Sequence, residues 1–379
     1  MSWTRWAAER GEDIRALGRW RAPSDLDARG PVGCRDGRPV VTFASNDYLG
    51  LTAHPAVVAA AHDALDRWGA GSGSARLIVG SRPVHTQLEA ALAEWRACAA
   101  AALFPTGFAA NLGVISALAA DDVVVCSDEL NHASIIDGCR LARARGAELA
   151  VWRHGDLDAL AAVLSGPGGR HRRAVVVSDT VFSMDGDQAD VAALAALCAA
   201  HGALLVLDEA HAVLGPAVDP AALGCEVLRV GTLSKTLGSL GGFVAGPQEL
   251  VDLVVNTSRP YIFTTAPTPA DSAAALAALR ILRSAEGDAL VARLRGHVDM
   301  VAGPTHPSPI VPIVIGGDRE AVAAAELLLA DGLLVPAIRP PTVPAGTARL
   351  RVTLSAAHTP EHVARLVAAL AAVAAPCAP

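Results

Sequence analysis

Short apolar, β-branched runs alternate with alanine-rich stretches of helical periodicity along most of this chain. Residues 123–126, 174–178, 204–207 and 227–230 read as buried strands, each followed by small or polar residues and then another helical stretch. Strand–helix alternation of this kind predicts an α/β fold, a mostly parallel sheet covered by helices. Ligands of such sheets sit beyond the carboxyl ends of the strands, so the polar clusters directly after them are the ones to read. Three segments follow from the pattern. Residues 1 to about 45 form an amphipathic arm rich in arginine and proline, and residues 46 to about 285 form the large alternating domain. From about 286 to 379, runs at 311–315 and 350–354 flank a helix over 319–330, which predicts a small α+β domain. No internal repeat is visible.

Composition changes this picture little. Apolar residues make up 52% and charged residues 18% of the 379 positions, ample for a large buried interior. A mean hydropathy of +0.37 raises the question of a membrane. The longest uncharged apolar run, 191–207, contains His201 and Gly202 and is followed by Asp208 and Glu209. A spanning helix needs about 20 apolar residues, so a short helix, a turn at His201-Gly202 and a buried strand are expected instead. The run 366–375 is shorter still, and residues 1–21 carry too many charges for a secretory signal. A soluble, cytoplasmic protein without a membrane partner is expected. The seven cysteines (Cys34, Cys98, Cys126, Cys139, Cys198, Cys225, Cys377) form no CxxC pair, which argues against structural zinc and a disulfide framework. No metal is expected, and the net charge of −7 argues against a nucleic-acid partner.

The chemistry begins after the run 204–207, at Asp208-Glu209-Ala210-His211. An ATPase reading of "DEAH" requires a GxxxxGK[ST] loop, and Gly231-Thr232-Leu233-Ser234-Lys235-Thr236 has the wrong glycine spacing. A buried carboxylate at a strand end is costly unless it meets a positive charge. A pyridinium nitrogen would supply one, and Lys235, in a Ser/Thr/Gly loop after the next run, can form a Schiff base with an aldehyde. Pyridoxal 5'-phosphate needs this pair. Taken singly, Asp208 is better read as a helix cap and Lys235 as a solvated loop lysine. Thr106-Gly107-Phe108 precedes a helical stretch whose free amides could cradle a phosphate, and Thr232 and Ser234 add hydroxyls. His132 could stack on a flat ring, and Ser183 and His211 could bond its phenolic oxygen. Thr106 alone is more often a plain N-cap, and lone histidines are more often satisfied polar groups. The set, in this order, carries the reading. The glycine-rich Gly69–Arg76 stretch is weak alone, and Asp185-Gly186-Asp187 lacks the residues of a calcium loop.

In these motifs the chain resembles the α-oxoamine synthases, fold-type I pyridoxal-phosphate enzymes. The resemblance rests on Asn46-Asp47-Tyr48-Leu49-Gly50-Leu51, the Gly71–Arg76 loop, Gly107-Phe108-Ala109-Ala110-Asn111 and His132-Ala133-Ser134. It continues through Val181-Phe182-Ser183-Met184-Asp185-Gly186-Asp187, Asp208-Glu209-Ala210-His211 and Thr232-Leu233-Ser234-Lys235. The stretch from Ile338-Arg339-Pro340 to Arg349-Leu350-Arg351 is most similar to the family's biotin-pathway branch. The resemblance implies decarboxylative condensation of L-alanine with a pimeloyl thioester of coenzyme A or a carrier protein. It also implies a homodimer with active sites at the subunit interface. Lys235 would bond the cofactor and act as acid–base catalyst, Asp208 would face the ring nitrogen and His132 its ring. Ser183 and His211 would bond the ring oxygen, and Gly107, Phe108 and Thr232 would hold the cofactor. Thr264 and Thr265 would reach the phosphate of a partner subunit. Arg339 would take the amino-acid carboxylate, with Thr342 beside the substrate and Arg19, or its rival Arg21, at the acyl group. A relative using glycine or serine keeps the same chemical residues. A cofactor-binding scaffold without activity would be expected to lose Lys235 or Asp208. The family usually has a stretch of HGxG form after the histidine, whereas Ala212-Val213-Leu214-Gly215 is shorter here.

Overall fold

The computed structural model describes residues 2–166 and 173–374; Met1, Cys377 and the last residue of the run 366–375 lie outside the described residues. The chain forms two compact units, Leu49–Ala292 and a smaller one made of Met1–Tyr48 with Arg293–Pro379.

The larger unit carries seven strands: β1 (Ala100–Phe104), β2 (Val123–Asp128), β3 (Glu148–Trp152), β4 (Arg173–Asp179), β5 (Leu204–Asp208), β6 (Val227–Thr232) and β7 (Gly242–Gly246). Their order is β1-β7-β6-β5-β4-β2-β3. All neighbours are parallel except β7, which runs antiparallel to both β1 and β6. The expected mostly parallel sheet is present. Alternation along each strand sends side chains to opposite faces. Val123, Val125, Val175, Val177 and Val206 enter one apolar cluster, while Val124, Cys126, Val176, Leu205 and Leu207 enter the other. Continuous apolar runs are therefore what a sheet covered on both faces requires.

The run 191–207 divides as its residues dictate. Asp190 caps the helix Val191–His201 by accepting from the Ala193 amide, and Gly202, at φ 61°, ends it before β5. Directly after Asp208, Glu209 turns inward. It takes Arg229 in a buried fork, with contacts of 2.6 and 3.0 Å, and Arg96 at 3.3 Å. Burial lowers the Arg96 pKa to about 10, against the pull of Glu209.

In the smaller unit the arm does not stand alone. Arg38–Thr42 pairs in parallel with Leu333–Leu334, and Thr42 accepts from His358 Nε2 at 2.9 Å. Asn46 Oδ1 accepts from both terminal nitrogens of Arg351, and Ser355 Oγ donates to the Asp47 carbonyl. The arm and the C-terminal segment, drawn separately from the sequence, thus form one unit because a two-residue parallel ladder joins them. The strands Ile310–Gly316 and Ala348–Thr353 pair antiparallel, beside the helix Asp318–Ala330.

The network at Glu209 generates a stability test. Glu209→Ala leaves two buried guanidinium groups without their counter-charge, a loss of about 3–5 kcal/mol. Thermal unfolding is expected to show a clear drop in Tm, and an unchanged Tm would show that the network carries no stability.

Candidate active site

Two of the adjacent parallel strands end in aspartates that face each other in register, Asp179 on β4 and Asp208 on β5. Asp208 is 6% exposed. Its Oδ2 accepts from Asn111 Nδ2 at 2.6 Å and its Oδ1 from the Ala210 amide at 2.9 Å. Asn111 comes from the helix Gly107–Ala117, where Thr106 accepts from the Ala109 amide as N-cap. Its second amide proton goes to Ser134 Oγ at 2.9 Å, and its buried Oδ1 meets no partner among the described residues. Ser134 passes the chain on to His132, whose Nδ1 lies 2.8 Å from the hydroxyl and accepts from the Ser134 amide at 3.2 Å. Because an amide only donates, Nδ1 of His132 is unprotonated. Burial lowers its pKa, with Asp208 pulling it up and Lys235 pushing it down.

Lys235 stands in the turn after β6, with Nζ 2.8 Å from His211 Nε2. In that turn Thr232 Oγ1 donates to the Gly241 carbonyl at 3.0 Å and accepts from the Ser234 amide, with Ser234 Oγ 2.7 Å away. These residues line a cavity of about 230 Å³, which also takes in Thr106, Gly107, Phe108 and Asp179. The edge of the Phe108 ring meets the His132 ring, centroids 6.3 Å apart.

The cavity suits pyridoxal phosphate on its own terms. A buried Asp208 has no ion-pair partner within 4 Å among the described residues, so a cationic ring nitrogen would complete it. The first amides of the helix Gly107–Ala117 lack intrahelical acceptors and are offered, with the Thr106, Thr232 and Ser234 oxygens, to an anion. The turn leaves no spare room: a Cβ at Gly107 would come 3.1 Å from Thr232 Cβ, and one at Gly242 would come 2.5 Å from the Thr106 carbonyl oxygen. The lysine faces the same space.

The structure brings Lys235, His132, Asp208, His211, Gly107, Phe108 and Thr232 together around one cavity. Ser183 is not among its lining residues. It sits in a turn closed by the Phe182 amide on the Asp187 carbonyl, at 3.0 Å, and the Gly186 amide on the Phe182 carbonyl, at 2.8 Å. Thr264 and Thr265 also lie outside the lining, in a segment tied down by the Ala266 amide on the Ser74 carbonyl and by Ser72 Oγ on the Pro267 carbonyl. Arg19, Arg339 and Thr342 belong to the smaller unit. There Arg339 donates to the Gly18 carbonyl at 2.7 Å and lines a separate cavity of about 470 Å³ with Arg319 and Glu326. The Nε of Arg19 is buried without a hydrogen-bond partner among the described residues, and Arg21 is exposed. Sequence reasoning missed Asp179 and gave Asn111 and Ser134 no role. A carboxylate closing the apolar run Val175-Val176-Val177-Ser178 was the available signal for Asp179.

Comparison with known proteins finds relatives over most of the chain. The family described as aminotransferase class I and II matches residues 38–370. The 8-amino-7-oxononanoate synthase of Anaeromyxobacter dehalogenans is 50% identical over 91% of this chain and 89% of its own length. That of Alkalilimnicola ehrlichii is 48% identical over 95% of each chain. Among solved structures, serine palmitoyltransferase of S. paucimobilis with a bound PLP–myriocin adduct superposes with a TM-score of 0.87. It is 29% identical, with 97% of this chain and 96% of that one covered.

The Ser183 turn carries its own titratable clamp. His154 lies between Asp187, at 2.8 Å, and Asp128, at 3.1 Å, while its amide donates to Glu129 and its ring meets Phe182 edge-on. Burial alone would lower its pKa, but Asp187 and Asp128 outweigh burial and hold the imidazolium above its ordinary range. A raised folded pKa means stability fully present below about pH 6.5 and lost as pH rises through the folded value. The Tm difference between the wild type and His154→Gln is expected to be largest near pH 5.5 and to shrink toward pH 8.5. A difference that grows with pH would reverse the assignment.

Proposed function

We propose, for a chain that belongs to the aminotransferase class I and II family and within it to the 8-amino-7-oxononanoate synthases, that this cavity holds pyridoxal phosphate and joins L-alanine to a pimeloyl thioester. The observation that carries the proposal is the single cavity containing Lys235 beside His211 and a buried Asp208 without a counter-ion among the described residues. The reaction forms a bond between the alanine α-carbon and the acyl carbon and breaks the acyl–sulfur bond. It releases carbon dioxide and free thiol and takes up one proton. Bound pyridoxal phosphate supplies the aldehyde that bonds the amino group and the electron sink that takes the charge of the α-carbon.

The chain's own groups account for the rest. Asp208 would hold positive charge at the ring nitrogen, and Asn111, donating to its Oδ2, keeps the carboxylate oriented. Lys235 removes and returns the proton at the α-carbon, with His211 fixing the direction of Nζ. His132 would pack against the ring, its orientation set by Ser134 at Nδ1. The helix N-terminus at Gly107 and the hydroxyls of Thr232 and Ser234 hold the phosphate. Ser183 would complete the set at the ring oxygen. Arg339 takes the alanine carboxylate, with Thr342 beside it and Arg19 at the acyl chain.

The active unit in this reading is a homodimer, in which Thr264 and Thr265 serve the partner's phosphate. Their position outside their own subunit's cavity supports this. So does the apolar surface nearby: Ile78, Val79 and Phe263 are 70–74% exposed, and the helix Arg259–Ile262 packs against the Arg76–Gly80 turn. No helix among the described residues is long and apolar enough to cross a membrane, and the six described cysteines are all free, which suits a cytoplasmic enzyme.

Identity of 50% to an 8-amino-7-oxononanoate synthase, against 29–31% to serine palmitoyltransferases, supports the alanine reading over the serine one. The test is thiol release from pimeloyl-CoA by the protein reconstituted with pyridoxal phosphate. Alanine is expected to support turnover and glycine and serine to fall far behind, and Lys235→Ala is expected to lose at least about a thousandfold in rate. Preference for glycine or serine would move the chain to another branch of the family, and turnover by Lys235→Ala would overturn the mechanism.

A further inference from the structure

Asp179 touches the cavity but plays no part in the chemistry above. Its Oδ2 accepts from the His132 amide at 2.8 Å, and its own amide donates to Asn131 Oδ1 at 2.8 Å. Asn131 in turn donates to the Val177 carbonyl at 2.8 Å and to Ser127 Oγ at 3.0 Å. Asp179 and Asn131, both buried, thus lace the two residues ahead of the helix Ala133–Ala144 to the ends of β2 and β4. Ser134 fixes the rotation of the His132 ring, while Asp179 fixes the backbone from which that ring projects.

We propose that Asp179 is a positioning residue for His132, and that it supplies a hydrogen-bond acceptor rather than a negative charge. The proposal rests on the reading that His132 packs against the cofactor. Register argues for the neutral form. Asp179 pairs with Asp208 across adjacent strands, and two ionised carboxylates held together away from water repel strongly. Asp208 has the cation-facing position, and no ion pair within 4 Å involves Asp179 among the described residues. Burial and the charge of Asp208 push the Asp179 pKa well above the usual carboxylate range, against the opposing hydrogen bond from His132. A protonated carboxyl still accepts through its carbonyl oxygen. The proton therefore costs the His132 anchor nothing and removes the repulsion.

The test titrates pyridoxal phosphate into the cofactor-free protein and follows the visible absorbance of the lysine-bound form. Asp179→Asn, which keeps an acceptor of the same shape, is expected to leave the Kd within about twofold and the pH dependence of the band unchanged. Asp179→Ala is expected to weaken binding by about three- to tenfold, the worth of one buried hydrogen bond. Added to His132→Ala, it is expected to weaken binding no further, because it acts through that residue. If Asp179→Asn weakens binding as much as Asp179→Ala, or the two losses simply add, the proposal is overturned while the role of His132 stands. If His132→Ala alone binds as tightly as the wild type, the reading of His132 falls and the proposal with it. Should Asp179→Ala fail to fold, Asp179→Asn decides alone, since a charge-bearing role predicts loss there and an acceptor role does not.

Discussion

A carboxylate withdrawn from water at the end of β5 is the constraint around which the larger unit is organised. Asp208 is buried at the end of a strand whose neighbour ends in Asp179. Uncompensated, such a charge would cost several kcal/mol, and a second one beside it would cost more. The structure answers with donors rather than with an ion pair. Asn111 and the Ala210 amide take the two oxygens of Asp208, and burial beside Asp208 raises the pKa of Asp179 well above the usual carboxylate range. The arrangement leaves one position where a positive charge is wanted, and Lys235 opens onto the same cavity. A ring that brings a cationic nitrogen and an aldehyde satisfies both at once.

This electrostatic arrangement needs a rigid frame, and the frame comes from the apolar alternation. Valines and leucines of β2, β4, β5 and β6 fill clusters on both sheet faces, so the strand ends cannot slide past one another without opening a core. The neighbouring residues of the Asp-Glu-Ala-His motif then divide the labour. Asp208 faces the cavity, and His211 meets Lys235. Glu209 points the other way, to Arg229 and Arg96, and binds β5 to β6 and to the segment preceding β1.

The elements were legible in the sequence where burial and chemistry coincide. The four apolar runs became strands β2, β4, β5 and β6, and Asp208, Lys235, His132, His211 and Thr232 meet because each ends a strand or stands within four residues of a strand's end. Other features obey no local pattern. The ladder between Arg38–Thr42 and Leu333–Leu334 involves too few residues, too far apart in sequence, to leave a periodic signature. Asp179 reads as the last residue of a strand until its register with Asp208 is known. Ser183 is specified by a turn whose clamp, His154 between Asp128 and Asp187, is assembled from three separate segments.

The stretch after His211 shows how a loop beside the chemistry can vary without disturbing it. Ala212–Leu214 makes one tight turn, ended by Gly215 at φ 113°. Both sides of that turn are fastened to β6. The Glu209 amide donates to the Val230 carbonyl at 2.8 Å, and Arg229, already held by Glu209, donates to the Val218 carbonyl at 3.2 Å. His211 therefore stands on an anchored base whatever the length of the chain that follows. A loop pinned at both ends can change its middle at little cost to either anchor. Residues 212–217 are in this sense free to vary, while the contact between His211 and Lys235 is set by the residues at the strand ends.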